Sequence, residues 1–96
     1  MRRDLLSPED LAAALPEIPE WRVEDGRLRR TVTCPTFPEA IELVRRIAEV
    51  AEELDHHPDI DIRWRTVHLT LWTHDRGGLT EFDLEEARRI DRLLAA

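Results

Sequence analysis

The sequence predicts an α+β fold: a single-layer, four-stranded antiparallel sheet with helices packed on one face, in the order αββαββα. Three observations predict it. Two pairs of short segments alternate apolar and polar residues with the period of a half-buried strand. One long stretch between the pairs, residues 37–54, carries the helical period. Each of the three predicted helices opens on a Ser or Thr cap.

Ser7-Pro8-Glu9-Asp10 begins the first helix, with Ser7 as cap, Pro8 in the first turn and acids at the positive end of the dipole. Its apolar run, Leu11 to Leu15, is stopped by Pro16. Trp21-Arg22-Val23-Glu24 and Leu28 to Thr33 flank Asp25-Gly26, a two-residue hairpin turn signal, and read as two antiparallel strands. Thr36-Phe37-Pro38-Glu39 is a capping box. Phe37, Ala40, Ile41, Val44, Ile47, Ala48 and Ala51 then recur on one helical face, which Leu43, Val50 and Leu54 widen. A face that broad predicts a helix deep in the core or packed on a second subunit. The helix must end before Pro58, which forces its predecessor out of the α region.

Ile60, Ile62 and Trp64 alternate with Asp61 and Arg63, and Val67, Leu69 and Leu71 alternate with His68, Thr70 and Trp72. These predict a second hairpin with one buried face, on which Trp64 is expected to pack. Arg76-Gly77-Gly78 reads as a turn. Thr80-Glu81-Phe82-Asp83 caps a last helix burying Leu84, Ala87, Ile90 and Leu94. Neither a repeat nor a linker interrupts the series, so residues 1–96 read as a single domain.

Composition narrows the function. Net charge is −7, and every one of the 14 basic residues is an Arg interspersed with Asp and Glu. Nucleic-acid binding needs a clustered basic surface, and none is present. No apolar run approaches the roughly 20 residues of a membrane span, and no signal-type apolar segment follows Met1, so a cytoplasmic location is expected. The lone Cys34 has no partner for a disulfide or a Cys-x-x-Cys site, and a small buried role is expected for it.

The chemistry concentrates in the histidines. Three of the four lie at predicted element ends: His56 and His57 at the junction between long helix and third strand, His74 beyond the fourth. Imidazole exchanges a proton near neutral pH without a large pKa shift, so an acid/base site is the first reading. A metal site is the competitor. Zinc takes three or four ligands, adjacent histidines project in different directions, and there is no His-x-x-x-His. No metal is therefore expected, the alternative being a site of two His completed by Asp55 or Asp75. His68 and His74 are six residues apart on one strand, roughly 20 Å at ~3.3 Å per residue, so they cannot share one small pocket. Asp55 and Asp75 each adjoin a key His, where a carboxylate accepting an imidazole N–H fixes the tautomer and raises the His pKa. A solvated role fits either one as well. Asp83 is open between completing a capping box and serving the site. Trp72 shares the parity of His74, placing a flat surface for ring stacking beside it.

Glu52, three positions, His56-His57-Pro58, five positions, Trp64, nine positions, His74, eight positions and Asp83 form one spaced series. It resembles the signature of the pterin-4a-carbinolamine dehydratases, filling every slot in register, and the resemblance runs from about Trp21 to the C-terminus. It implies a cofactor-independent hydro-lyase that dehydrates 4a-hydroxytetrahydropterin to quinonoid dihydropterin in pterin recycling. It further implies His56 and His74 as general acids on opposite ring faces, with His57 binding the pterin. Asp55, Thr73 and Asp75 would be polar contacts at the ring edge, and Glu52 and Asp83 supporting residues. Trp72 departs from members with a small residue there and implies a tighter rim. Family members assemble as dimers through sheet edges and tetramers through the long helix, so a homodimer or homotetramer is expected. The alternative is a non-enzymatic, protein-binding or assembly-factor relative of the same fold.

Overall fold

The computed structural model describes residues 1–95. Its elements run α1 (Pro8–Ala14), a 3₁₀ turn (Leu15–Glu17), β1 (Arg22–Glu24), β2 (Arg27–Thr33), α2 (Phe37–Leu54), β3 (Asp59–Arg63), β4 (Thr66–Leu71), a second 3₁₀ turn (His74–Arg76) and α3 (Glu81–Ala95). The expected αββαββα order stands. The four strands form one antiparallel sheet in the order β1-β2-β4-β3, so the two hairpins join through β2 and β4, with Leu28 opposite Leu71 and Val32 opposite Val67.

Period-2 alternation sends Leu28, Val67, Leu69 and Leu71 to one face of the sheet, where each is at most 1 % exposed. Ala40, Ile47, Ala87 and Ile90, from α2 and α3, complete that core and are fully buried. Thr31, His68 and Asp61 lie on the other, exposed face, where His68 is bonded through Nδ1 to Thr31 Oγ1. Cys34 is buried, as expected of a small apolar side chain.

Local chemistry sets the ends. Ser7 Oγ accepts from the Asp10 N–H, and Thr36 Oγ1 from the Glu39 N–H. Asp25 and Gly26 both take positive φ, 51° and 71°, which matches the primed turn that follows the twist of the strands. Pro16 does not halt the first helix outright; it lies within the 3₁₀ turn that extends it. Leu43, Val50 and Leu54 are buried within the single chain, which fits the first of the two readings of that broad face, a helix deep in the core, and leaves these three side chains little surface for a second subunit. The large apolar side chains that α2 leaves exposed are Phe37 and Ile41, at 47 % and 45 %.

Trp64 corrects the sequence reading. It is 72 % exposed and sits at φ +55° in the turn between β3 and β4, not on the buried face. The strands pair up to Arg63 opposite Thr66, leaving Trp64 and Arg65 to reverse the chain. The two-residue connection, rather than the alternation, decides where the indole goes. Its ring is covered on one side by the Arg65 guanidinium, 5.0 Å from the centroid.

Candidate active site

The end of α2, the end of β4 and the start of α3 converge at one corner of the sheet. Asp55 closes α2 in the left-handed conformation (φ 49°), and its N–H reaches back to Ala51 and Glu52 carbonyls. That turn, with Pro58 close behind, swings His56 inward and His57 outward: His56 is 8 % exposed and His57 lies at the surface.

His56 Nε2 is 2.6 Å from Asp83 Oδ1. Asp83, fully buried, accepts from three donors: the imidazole, Thr73 Oγ1 at 2.8 Å and the Thr80 N–H at 2.9 Å. The bond from Thr80 is the return arm of a capping box, so Asp83 both caps α3 and fixes the imidazole. With Nε2 committed to the carboxylate, Nδ1 is the nitrogen left for proton exchange. The hydrogen bond that Asp83 accepts raises the His56 pKa against the opposing effect of burial. His57 repeats the arrangement at the surface. Its Nε2 is 2.6 Å from Glu52 Oε2, and that hydrogen bond raises its pKa.

His74 stands across the cleft in the 3₁₀ turn, its side chain 55 % exposed. Its ring lies 4.2 Å from that of Trp72, tilted 37°. Trp72 in turn donates from Nε1 to Asp59 Oδ2 at 3.0 Å, and the Arg27 guanidinium lies 4.1 Å from its ring centroid. The indole is thus held from two sides and braces His74.

Arg3, Asp55, His56, His57, Trp72, Thr73, His74 and Asp75 enclose an open cleft of about 190 Å³. Every residue expected to carry proton transfer or pterin contacts is therefore on one wall or another. Larger hollows lie between α1 and α3, about 470 Å³, and between α2 and α3, about 710 Å³. Neither gathers an imidazole, and a third hollow of about 310 Å³ on the exposed sheet face holds His68 alone, so chemistry, not volume, selects the smaller cleft with its three imidazoles.

The carboxylates beside the histidines in sequence are not their partners in space. Asp75 bonds Arg3 at 2.5 Å, and that guanidinium holds its carboxyl below the usual range. Asp55 serves as the helix cap. Asp83 and Glu52, which lie 27 and five residues away, take the imidazole N–H groups. Arg3 was not legible as a site residue. The N-terminal segment reaches the cleft because the Leu6 N–H bonds the Leu79 carbonyl at 2.8 Å and the Arg2 N–H bonds Glu81 at 2.9 Å. Gly78 permits this approach, since a Cβ there would meet Leu5 at 3.0 Å. Arg3 also lies 5.7 Å from the Phe82 ring, which packs 5.8 Å from His56.

No group of three or more His, Cys, Asp or Glu poised to hold a metal occurs among the described residues. No helix among them is long and apolar enough to cross a membrane.

Comparison with known proteins places the chain in a family. The sequence model described as pterin 4 alpha carbinolamine dehydratase matches residues 4–93. A protein of Mycobacterium sp. (strain KMS), provisionally named a pterin-4-alpha-carbinolamine dehydratase, is 57 % identical over 90 residues, covering 94 % of this chain and 96 % of its own. The crystal structure of a transcriptional coactivator/pterin dehydratase from Brucella melitensis superposes with a TM-score of 0.88 at 30 % identity, covering 93 % of this chain and 97 % of the other. A pterin dehydratase-like protein identified as a RuBisCO assembly factor in the alpha-carboxysome shares the fold, with a TM-score of 0.63 at 22 % identity over 76 % of this chain and 84 % of its own. With its spaced histidine series and a family match across nearly its whole length, the chain belongs to the pterin-4a-carbinolamine dehydratase family.

Proposed function

We propose that the protein, as a single domain over residues 1–96, is a hydro-lyase that dehydrates 4a-hydroxytetrahydropterin to quinonoid dihydropterin in pterin recycling. The reaction breaks the C4a–O bond and removes the N5 proton. The hydroxyl leaves as water once a donor protonates it, and an acceptor takes the proton from N5. Imidazolium and imidazole do both near pH 7. The observation that carries the reading is the buried His56–Asp83 couple facing His74 across a cleft suited to one flat ring.

In this reading Nδ1 of His56 donates to a hydroxyl on one ring face and His74 to one on the other. His57, held by Glu52, binds the pterin. Thr73, Asp55 and Asp75 border its polar edge, and Trp72 lies along the ring plane. Imidazole and imidazolium carry both proton transfers themselves, so the proposed reaction needs neither metal nor cofactor. The experiment is to generate the carbinolamine in solution and follow its ultraviolet signal with and without the purified protein. Faster loss supports the assignment, and an unchanged rate refutes it. A purely protein-binding role could use the exposed start of α2, but it gives the ionisable cluster no task.

Phe37 and Ile41 support assembly of copies through the start of α2 as a homodimer or homotetramer. Replacing both with Glu is expected to lower the mass seen by light scattering. An unchanged mass in the folded double variant places the contact elsewhere, at a sheet edge.

A further inference from the structure

Glu86 is a carboxyl that the proposed proton transfers do not use. It lies on α3 three residues after Asp83, and so on the same helix face. It is completely buried, and neither of its carboxyl oxygens has a hydrogen-bond partner. The neighbouring inward positions of α3 are Leu84, Ala87 and Ile90, and an aliphatic side chain there would cost nothing in desolvation. A buried acid without a donor is a standing cost to the fold, and such groups cluster where charge is used.

The surroundings indicate the use. The charged groups facing Glu86 are His56 and His57 of the connection between α2 and β3, and Asp83 of its own helix. Those facing His56 are Asp83, Glu86 and, from the N-terminal segment, Arg3, which opposes them. An ionised Glu86 attracts a proton onto His56 through a low-dielectric interior, and a charged His56 favours ionisation of Glu86. Loss of the imidazolium proton leaves Asp83 and Glu86 as two neighbouring anions, a state that Glu86 relieves by taking up a proton. Burial pushes the Glu86 carboxyl up to about 7, while the Asp83 hydrogen bond raises the His56 imidazole, so the two titrations are coupled.

We infer that Glu86 is a positioning residue for His56, a buried acid, one turn along α3 from the His56–Asp83 couple, that holds the imidazole in its charged form. It thereby sets the alkaline limit of proton donation into the cleft. The catalytic consequence rests on the dehydratase reading; the coupling of the two groups does not.

The test compares Glu86→Gln and Glu86→Leu with the parent protein, following the His56 ring by NMR titration and kcat against pH. Both variants are expected to lower the His56 pKa by about half a unit or more. The alkaline limb of kcat should move down by the same amount, with the plateau at lower pH unchanged within about twofold. Glu85→Gln, a neighbour bonded to Arg89 rather than facing the site, should move neither. A folded Gln or Leu variant whose His56 titrates as in the parent overturns the inference. A lowered His56 pKa in a protein that never accelerates dehydration sustains the coupling and refutes the functional reading. Fold integrity has its own readout. The folded pKa of Glu86 lies above its unfolded value of 4.5, so its cost is absent below that pH and complete above about 7. Glu86→Leu should therefore melt higher than the parent at pH 8, with the gain shrinking toward pH 4.5.

Discussion

Replacing His56 and His74 together with Ala is expected to reduce carbinolamine dehydration to nearly the uncatalysed rate in a chain that still folds, with a lower Tm because the buried Asp83 loses one donor. A donor placed at the breaking C–O bond contributes typically about 10²–10⁴-fold. Because the two imidazoles flank the cleft from different elements, each serves one 4a stereoisomer in this account. Each single variant should then lose kcat toward one stereoisomer and keep most of it toward the other. His57→Ala should chiefly raise KM, since its ring is exposed and tied to Glu52 rather than braced against the cleft floor. His68→Ala is the internal control. His68 lies on the exposed face of the sheet, bonded to Thr31, and both constants should stay within about threefold. Steady-state kinetics on each stereoisomer, with circular dichroism on every variant, reads all of this. Full activity in the folded double variant contradicts the roles given to His56 and His74.

Asp83→Ala should have the largest effect on stability. The change removes one acceptor from three buried donors at once: the His56 imidazole, the Thr73 hydroxyl and the Thr80 N–H at the start of α3. Breaking a buried pair by deleting one partner costs about 3–5 kcal/mol. For a domain of this length each kcal/mol lowers Tm by roughly 4–8 °C. Asp83→Asn separates charge from architecture. It keeps an acceptor for the imidazole but removes the carboxylate that raises the His56 pKa, so activity should fall at a lower pH than in the parent. The sign of the stability change follows. His56, with its folded pKa raised, contributes stability that is complete below its unfolded pKa of about 6.5. That contribution fades as pH climbs through the higher folded value, so Asp83→Asn should be most destabilised relative to the parent at acidic pH. Urea midpoints at pH 5.5 and pH 8.5 check it.

The fold was legible wherever a period repeated often enough to outvote single residues. Seven recurrences of apolar side chains marked α2, and Leu28, Val67, Leu69 and Leu71 marked the buried sheet face. Trp64 failed because alternation says nothing about where a strand stops. A two-residue reversal took an indole that the pattern assigned to the core. The histidines were legible because the imidazoles adjoin a proline and sit at element ends. Their carboxylate partners were not legible by adjacency. Asp55 and Asp75 are neighbours in sequence, but backbone direction at the helix cap and the pull of Arg3 turn them elsewhere. Asp83 and Glu52 stood in the spaced series without any local sign of which imidazole each meets. Arg3 had no periodic or motif signal at all. Glu86 carried one: it stands three residues from Asp83 on a helix whose other inward residues are aliphatic, but beside Glu85 it reads as a solvated charge.

The most direct measurement is the first-order decay of a 4a-hydroxytetrahydropterin in stopped flow, with increasing amounts of purified protein and excess chelator. The account predicts a decay rate that rises in proportion to protein, for both 4a stereoisomers, unaffected by the chelator. A rate independent of protein contradicts the dehydratase assignment. A rate abolished by chelator and restored by zinc contradicts proton transfer by His56 and His74 alone.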